Sequence, residues 1–470
     1  MQPVVDFLNG LLWSKVLIVA LLGIGIYFTF STKFVQFRYI KEMVRLLTEK
    51  LPEGEKGKSI SSFKSFCIGA ATRIGTGNLA GVAVAISLGG PGAIFWMWVV
   101  ALLGGATALI ESTLAQVYKV KDQAAFRGGP AYYIEKGLNK RWLGIIFAIL
   151  IAVTFGLIFN SVQSNTIALA FENAFGMNKL MIGIIITVLT GFVIFGGVHR
   201  IANLSSVIVP VMAILYIVIA TVVMILNITE LPSVFSLIFK SAFGLEQAVG
   251  GGIGAAIMNG VKRGLFSNEA GMGSAPNAAA VATTSHPVKQ GLIQSLGVFI
   301  DTILVCSATA FIIILAPEYT TGDTSGIELL QSSLSSHIGS WASVFIAAAI
   351  FLFAFSSIIG SYYYGETNIE FIKESKTALF IFRVATMAMV LIGSVLSLGF
   401  VWSLADLFMA VMTLINLVAI ALLGKVAFNV LKDYEKQRKE GKDPVFDPSQ
   451  LNISNAEAWE EEKPSKRAVV

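Results

Sequence analysis

The chain has 470 residues, 55% of them hydrophobic and only 13% charged, with a mean hydropathy of +0.75. Soluble proteins carry about 25% charged residues, so this composition excludes an ordinary soluble domain and implies a polytopic membrane protein. The formal net charge of +5 does not imply a nucleic-acid partner, because the basic residues gather in short loops between apolar runs, where the positive-inside rule places them.

Read in chain order, apolar windows predict eleven helices, near residues 12–31, 62–90, 91–117, 142–170, 180–197, 203–226, 250–282, 288–316, 340–368, 377–396 and 399–424. Runs such as VLIVALLGIGIYFTF (16–30) and MIGIIITVLTGFVIFGG (181–197) approach the roughly 20 apolar residues that span a bilayer. They lack the two-residue alternation of an outer-membrane barrel. The first run is followed by a basic segment and by no small-residue cleavage site, so it reads as a retained helix. Seven Lys or Arg lie in the loop at 32–61 and six in the loop at 118–141, which makes that face cytoplasmic. The N-terminus is then outside and the tail from 425 onward inside. That tail is polar and charged, and it is expected to be mostly disordered.

RIGTGNLAG (73–81) in the second predicted helix and RGLFSNEAG (263–271) in the seventh share the skeleton Arg-x4-Asn-x-Ala-Gly. Five spans separate them, so the two copies cross the membrane in opposite directions, the ground plan of an inverted-repeat secondary transporter. The implied organisation is an N-terminal helix and basic linker (1–61), a first repeat (62–226), an extracellular connection (227–249), a second repeat (250–424) and the tail (425–470).

Glycines in GGPGAIFW and LLGGATA need mean no more than close helix packing. At 73–81 they mean more. Gly75, Gly77 and Gly81 each weaken a helix by about 1 kcal/mol relative to alanine, and they coincide with Arg73, Thr76 and Asn78. Unwound backbone at membrane depth survives only where it is buried in protein or lines a cavity. A half-helix starting near Leu79 would offer N–H groups to a carboxylate. A half-helix ending near Leu265 would offer carbonyls to an ammonium group or a small cation. A zwitterionic amino acid carries both complementary groups.

Other polar residues fit less specifically. Asn160, Gln163 and Ser164 share one face of the fourth helix, which suits ligand contact and interhelical hydrogen bonding equally. Ser356 and Ser357 can give hydroxyl oxygens to a cation or bond back to their own helix. Arg73, Glu111, Lys262, Arg263, Glu269, Asp301 and Asp406 all fall within predicted spans, where charges are usually paired or face a water-filled cavity. Glu111, Asp301 and Asp406 read as gate or scaffold pairs. Cys67 and Cys306 read as small core residues, without metal or disulfide spacing. His199, His286 and His337 lack the spacing of a zinc helix, and no nucleophile elbow, Walker or dinucleotide motif is present, so neither an enzyme nor an organic cofactor is expected.

At these residues the sequence resembles the alanine or glycine:cation symporter family, part of the amino acid–polyamine–organocation group with the leucine-transporter fold. The resemblance rests on GTGNLAGVAVAISLGGPGAIFWMW (75–98), FRGGPAYYIEKGL (126–138), GVKRGLFSNEAGMGSAPNAAA (260–280) and YYYGE (362–366), and covers nearly the whole chain except the tail. It implies an all-α polytopic membrane protein of the cell membrane, with ten core helices in a five-plus-five inverted repeat, two of them broken, and an additional N-terminal helix making eleven. It also implies a sodium-coupled symporter of small neutral amino acids.

Carried onto matching residues, the resemblance places the substrate carboxylate at the N–H groups of Thr76 and Gly77, within the break that also holds Asn78. The amino group would lie at the carbonyls of Arg73, Phe266 and Ser267, with Gln163 contributing and Phe266 closing one side. The sodium site would use the carbonyls of Ala71, Ile74 and Phe353 and the hydroxyls of Ser356 and Ser357. The sequence departs from the family at Ser361, where a tryptophan commonly precedes YYYGE. A serine there implies a larger pocket, open to glutamine. Proton coupling, or a non-accumulating amino-acid sensor or channel on the same fold, are the competing readings, and a membrane-embedded enzyme is the weakest.

Overall fold

Backbone polar groups in hydrocarbon must be satisfied within the chain, and a computed structural model shows them satisfied almost entirely by helices. It describes residues 2–49, 59–122, 125–245, 252–320, 322 and 324–460. Among the described residues, eight helices are long and apolar enough to cross a membrane. They are α1 (Gln2–Ser31), α5 (Gly92–Val117), α7 (Arg141–Phe175), α9 (Gly197–Leu226), α13 (Pro287–Ile314), α15 (Trp341–Ile372), α16 (Lys376–Val395) and α17 (Leu398–Lys439). The three remaining predicted spans are a shorter helix, α8 (Lys179–Ile194), and the two helices expected to be broken.

Both of those are broken. The first copy begins as α3 (Ser62–Arg73), capped by the Ser61 hydroxyl accepting the Lys64 N–H at 3.3 Å. Ile74 leaves helical geometry at ψ 81°, and the chain resumes as α4 (Gly77–Gly89), whose first turn is π-helical. The second copy runs as α11 (Ile253–Asn268), then turns through Glu269, Gly271 and Gly273 with φ of 58°, 87° and 84°. It resumes as α12 (Ala275–Ala280). Glycine tolerates this left-handed backbone without strain. The expected end near Leu265 falls too early: the Leu265 carbonyl accepts the Glu269 N–H at 2.9 Å, which caps α11 three residues later at Asn268.

The helices pack as two groups. One holds α5, α11 and α13, with α1 along α5; the other holds α7, α8, α15 and α16. The first broken helix lies between them, α3 packing on α9 and α15 and α4 packing on α11. Smaller elements fill the connections: amphipathic α2 (Ile40–Leu47), an antiparallel hairpin pairing Val120–Asp122 with Ala125–Arg127, α6 (Pro130–Leu138), α10 (Leu231–Ala242) and α14 (Gly326–Ile338). Helix α10 occupies the predicted connection, where the Ser241 hydroxyl accepts the Gly92 N–H at 3.1 Å. Residues 246–249 of that connection lie outside the described residues.

The tail departs from expectation. Helix α17 continues to Lys439, and residues 440–460 fold back as a strap across the helix ends. The Phe446 N–H donates to the Ser285 carbonyl at 2.9 Å, Lys289 Nζ to Asp443 at 2.8 Å, and Trp459 Nε1 to the Gln116 carbonyl at 2.8 Å. The Trp459 ring lies 5.0 Å from that of Phe446. Together with Phe126 it sandwiches the Lys119 ammonium, at 4.6 and 3.8 Å from the two ring centroids. A few aromatic anchors and buried lysines outweigh the polar composition that suggested disorder. The last ten residues, 461–470, lie outside the described residues.

Candidate functional site

A break in a helix frees backbone groups, so the site is built from what meets them. At the first break the Thr76 N–H donates to Gln163 Oε1 at 3.1 Å, and the Gly75 N–H to Asn78 Oδ1 at 3.1 Å and to the Arg73 carbonyl at 3.0 Å. The side chain of Gln163 therefore occupies an acceptor position at the start of α4. Of the three polar residues predicted to share that face of α7, Gln163 alone reaches the break. Asn160 bonds the Gly156 carbonyl and Ser164 the Ser161 carbonyl, both within their own helix.

The two breaks touch. A Cβ on Gly77 would stand 3.0 Å from Phe266 Cδ1 and 3.2 Å from Ser267 Cα. Phe266 stacks between Phe159 and Trp402, with centroids 4.6 and 4.7 Å away. Thr76, Asn78 and Ser267 are fully buried, and the Thr76 hydroxyl has no hydrogen-bond partner.

Asp301 joins the breaks. Its Oδ1 accepts from Asn78 Nδ2 at 2.6 Å, and its Oδ2 accepts from the Ser267 hydroxyl at 2.6 Å and the Thr302 hydroxyl at 2.8 Å. Cys306 Sγ lies 3.3 Å from Asn78 Nδ2 and 3.0 Å from Ser267 Oγ. Asp301 was expected in a gate or scaffold pair, yet among the described residues no Lys or Arg comes within ion-pair distance of it. Cys306 is the small core residue expected, and it also touches both breaks. Both lie in the π-helical turn Phe299–Cys306 of α13, and such turns recur where a helix must re-aim side chains. The signal that could have found Asp301 is a lone acid in an apolar run, FIDTILVC, with no basic residue a turn away.

Of the other two acids, Asp406 does form the expected pair, with Arg263 at 2.6 Å and Lys262 at 3.4 Å. Glu111, like Asp301, has no Lys or Arg within ion-pair distance among the described residues; it accepts the Gly271 N–H at 3.1 Å and Asn416 Nδ2 at 2.9 Å, holding the second turn. The Arg73 side chain is buried, bonding Gln294 Oε1 at 2.8 Å.

Of the predicted cation oxygens, those of Ala71, Phe353 and Ser357 meet, while the Ser356 hydroxyl bonds back to its own helix. Ser357 Oγ donates to the Ala71 carbonyl at 2.7 Å and the Phe353 carbonyl at 3.0 Å, and Ser356 Oγ donates to the Phe353 carbonyl at 2.8 Å. Gly75 approaches so closely that a Cβ there would lie 2.2 Å from Ser357 Oγ. Ile74 is buried at the end of α3, its N–H on the Ala70 carbonyl at 2.8 Å. Ser361 lies one turn beyond Ser357 on the same face of α15; it is buried, and its hydroxyl makes no hydrogen bond among the described residues. An open cavity of about 570 Å³ lies elsewhere, against the tail, bounded by Ser285, Lys442, Phe446 and Trp459.

Comparison with known proteins bears on the family and the fold. The sequence model of the sodium:alanine symporter family matches residues 1–448. The chain is 59% identical over 460 residues to the probable sodium/glutamine symporter GlnT of Bacillus subtilis, covering 98% of this chain and 96% of that one. It is 59% identical over 463 residues to the amino-acid carrier protein AlsT of the same organism, covering 98% of each. It is 38% identical over 446 residues to the sodium/alanine symporter AgcS of Methanococcus maripaludis, covering 93% and 97%. Among solved structures it is similar to a manganese transporter of Eremococcus coleocola, with a TM-score of 0.54 at 14% identity, over 87% of this chain and 93% of that one. That likeness is one of fold, the broken-helix architecture of leucine-transporter-like secondary transporters.

Proposed function

Because this chain belongs to the sodium:alanine symporter family, we propose that it imports small neutral amino acids, glutamine among them, with sodium, by alternating access of its two repeats. It is a multi-pass membrane transporter and not an enzyme. The N-terminus lies outside and the tail in the cytoplasm, following the basic loops. The observation that carries the reading is the meeting of two helix breaks in one buried site, where Gly77 abuts Phe266 and Ser267.

The substrate carboxylate takes the N–H groups of Thr76 and Gly77, displacing the Gln163 amide oxygen that now holds Thr76. The amino group takes carbonyls of Arg73, Phe266 and Ser267, with Phe266 as a wall. The first cation site uses Ala71, Ile74, Phe353, Ser356 and Ser357. These oxygens fit sodium, a hard cation that prefers oxygen ligands: the Ser357 hydroxyl already meets the Ala71 and Phe353 carbonyls, and the Ser356 hydroxyl meets the Phe353 carbonyl. The Asp301 carboxylate, held by Asn78 Nδ2 and by the Ser267 and Thr302 hydroxyls, is a second place for positive charge. If the serines bind the ion, replacing Ser356 and Ser357 together by alanine raises the sodium concentration for half-maximal uptake by about tenfold, a loss of about 1.4 kcal/mol in binding. An unchanged sodium dependence removes them from the ion site.

Glutamine follows from Ser361, whose unpartnered hydroxyl can hydrogen-bond a side-chain amide and whose small size leaves room for one. The name of the 59% identical glutamine symporter supports the same substrate. The test is uptake of labelled glutamine and labelled alanine into proteoliposomes, with an inward sodium gradient and with potassium in its place. Sodium-dependent accumulation of glutamine is expected, and Ser361→Trp is expected to cut glutamine uptake at least about tenfold more than alanine uptake, the discrimination a filled apolar pocket gives. Equal effects on both substrates would return Ser361 to a packing role. Accumulation driven by a proton gradient alone would replace sodium by protons.

A further inference from the structure

Helix α1 stands outside the ten-helix repeat, yet it is fastened to the wall of the site. In its first half a π-helical turn, Leu12–Val16, carries Trp13, whose side chain is completely buried. Trp13 Nε1 donates to the backbone carbonyl of Asp406 at 3.2 Å, and the Lys262 ammonium lies 5.3 Å from the Trp13 ring centroid. Asn9 Nδ2 donates to the Ser403 carbonyl at 2.8 Å, one turn earlier on α17. One helix thus touches two of the three members of the ion group, Asp406 on α17 and Lys262 on α11.

That ion group adjoins the substrate wall. Arg263 pairs with Asp406 at 2.6 Å and lies 4.4 Å from the Trp402 ring centroid, and Trp402 stacks on Phe266. On α11, Lys262 and Arg263 sit about one turn nearer the helix start than Phe266 and Ser267, between the site and the face from which α11 enters. The group is also under-satisfied. Arg263 Nε and Nη1, Trp402 Nε1 and Asp406 Oδ1 are all buried without partners. These atoms have no protein partner in the closed contact, and parting it would leave them free to be hydrated.

We propose that α1 restrains this parting: Trp13 is a positioning residue that holds Asp406 and Lys262 together and so sets how readily the Arg263–Asp406 contact parts to admit substrate. This rests on the transport reading of the site, in which Phe266 is a wall that must move. A purely structural α1 would affect the amount of folded protein, not the balance between closed and open.

Cys306, beside Asn78 and Ser267, provides the readout. In the full-length chain with Cys67→Ala, a membrane-impermeant methanethiosulfonate is applied to the face that carries the N-terminus, without substrate, and the rate of Cys306 modification is followed. Trp13→Ala should raise that rate about fivefold, the effect expected of one lost neutral hydrogen bond. Trp13→Phe, which keeps the ring under Lys262, should give a smaller rise. Asp406→Asn should raise the rate too, with no further rise when combined with Trp13→Ala. An unchanged rate in both Trp13 variants overturns the proposal, as does a full additive rise in the double variant. Because the rate is read without substrate, it stands whatever the site binds. Failure of alanine and glutamine to protect Cys306 would count against the transport reading alone.

Discussion

Gly77→Val should abolish uptake, by at least about a hundredfold, while the protein still inserts and remains folded. The first added carbon would stand 3.0 Å from Phe266 Cδ1 and 3.2 Å from Ser267 Cα. In the closed arrangement Phe266 is held between the rings of Phe159 and Trp402, so making room for the added carbon forces that aromatic cluster apart. Ser267 cannot retreat freely, because its hydroxyl is tied to Asp301 at 2.6 Å. The substitution therefore pushes the two breaks apart, and a misplacement of about 1 Å in a bound geometry can cost about a hundredfold. Gly81→Ala is the control: its Cβ would meet Trp402 Cη2 at an ordinary 3.5 Å, and uptake should survive. The comparison is uptake into proteoliposomes at equal amounts of monodisperse protein. Normal transport by Gly77→Val would mean that the breaks do not enclose the substrate.

Asp301→Ala should be as damaging, for a different reason. Three donors, Asn78 Nδ2, Ser267 Oγ and Thr302 Oγ1, converge on this carboxylate, and each stranded buried donor costs about 1–3 kcal/mol. Asp301→Asn separates structure from charge, since it keeps the shape and one acceptor oxygen while removing the negative charge. If the carboxylate holds positive charge during transport, this variant folds, binds its substrate more weakly and loses at least about tenfold of its sodium-driven uptake. Wild-type uptake with an unchanged sodium requirement would reduce Asp301 to a brace between the breaks.

The contrast between these two sites explains what the sequence could reveal. Gly77 was legible because its partner pattern is local: nine residues repeat the Arg-x4-Asn-x-Ala-Gly skeleton, and the apolar windows around them give the span order. Asp301 was visible as an acid but not as a site residue, because the groups that meet it lie 223 and 34 positions away and only packing brings them together. Gln163 and Asn160 share a helix face, yet the first reaches α4 and the second turns back on its own helix, a distinction no periodicity carries. The end of α11 was misplaced because its cap is the non-glycine Glu269 in left-handed geometry, which leaves little sequence signature. The tail misled through composition, since Phe446 and Trp459 are too few to alter an average but sufficient to dock a strap.

That strap sets an order of assembly. Lys289 is 1% exposed and its ammonium contacts Glu49 and Asp443, while Trp459 closes one face of the Lys119 ammonium. Residues 443 and 459 leave the ribosome after the membrane helices among the described residues, so until then two lysines made earlier, Lys119 in a loop and Lys289 in the first turn of α13, lack part of the surroundings that make their burial tolerable. Docking of the strap thus follows synthesis of those helices, and a nascent chain ending at Lys439 would carry them without this fastening.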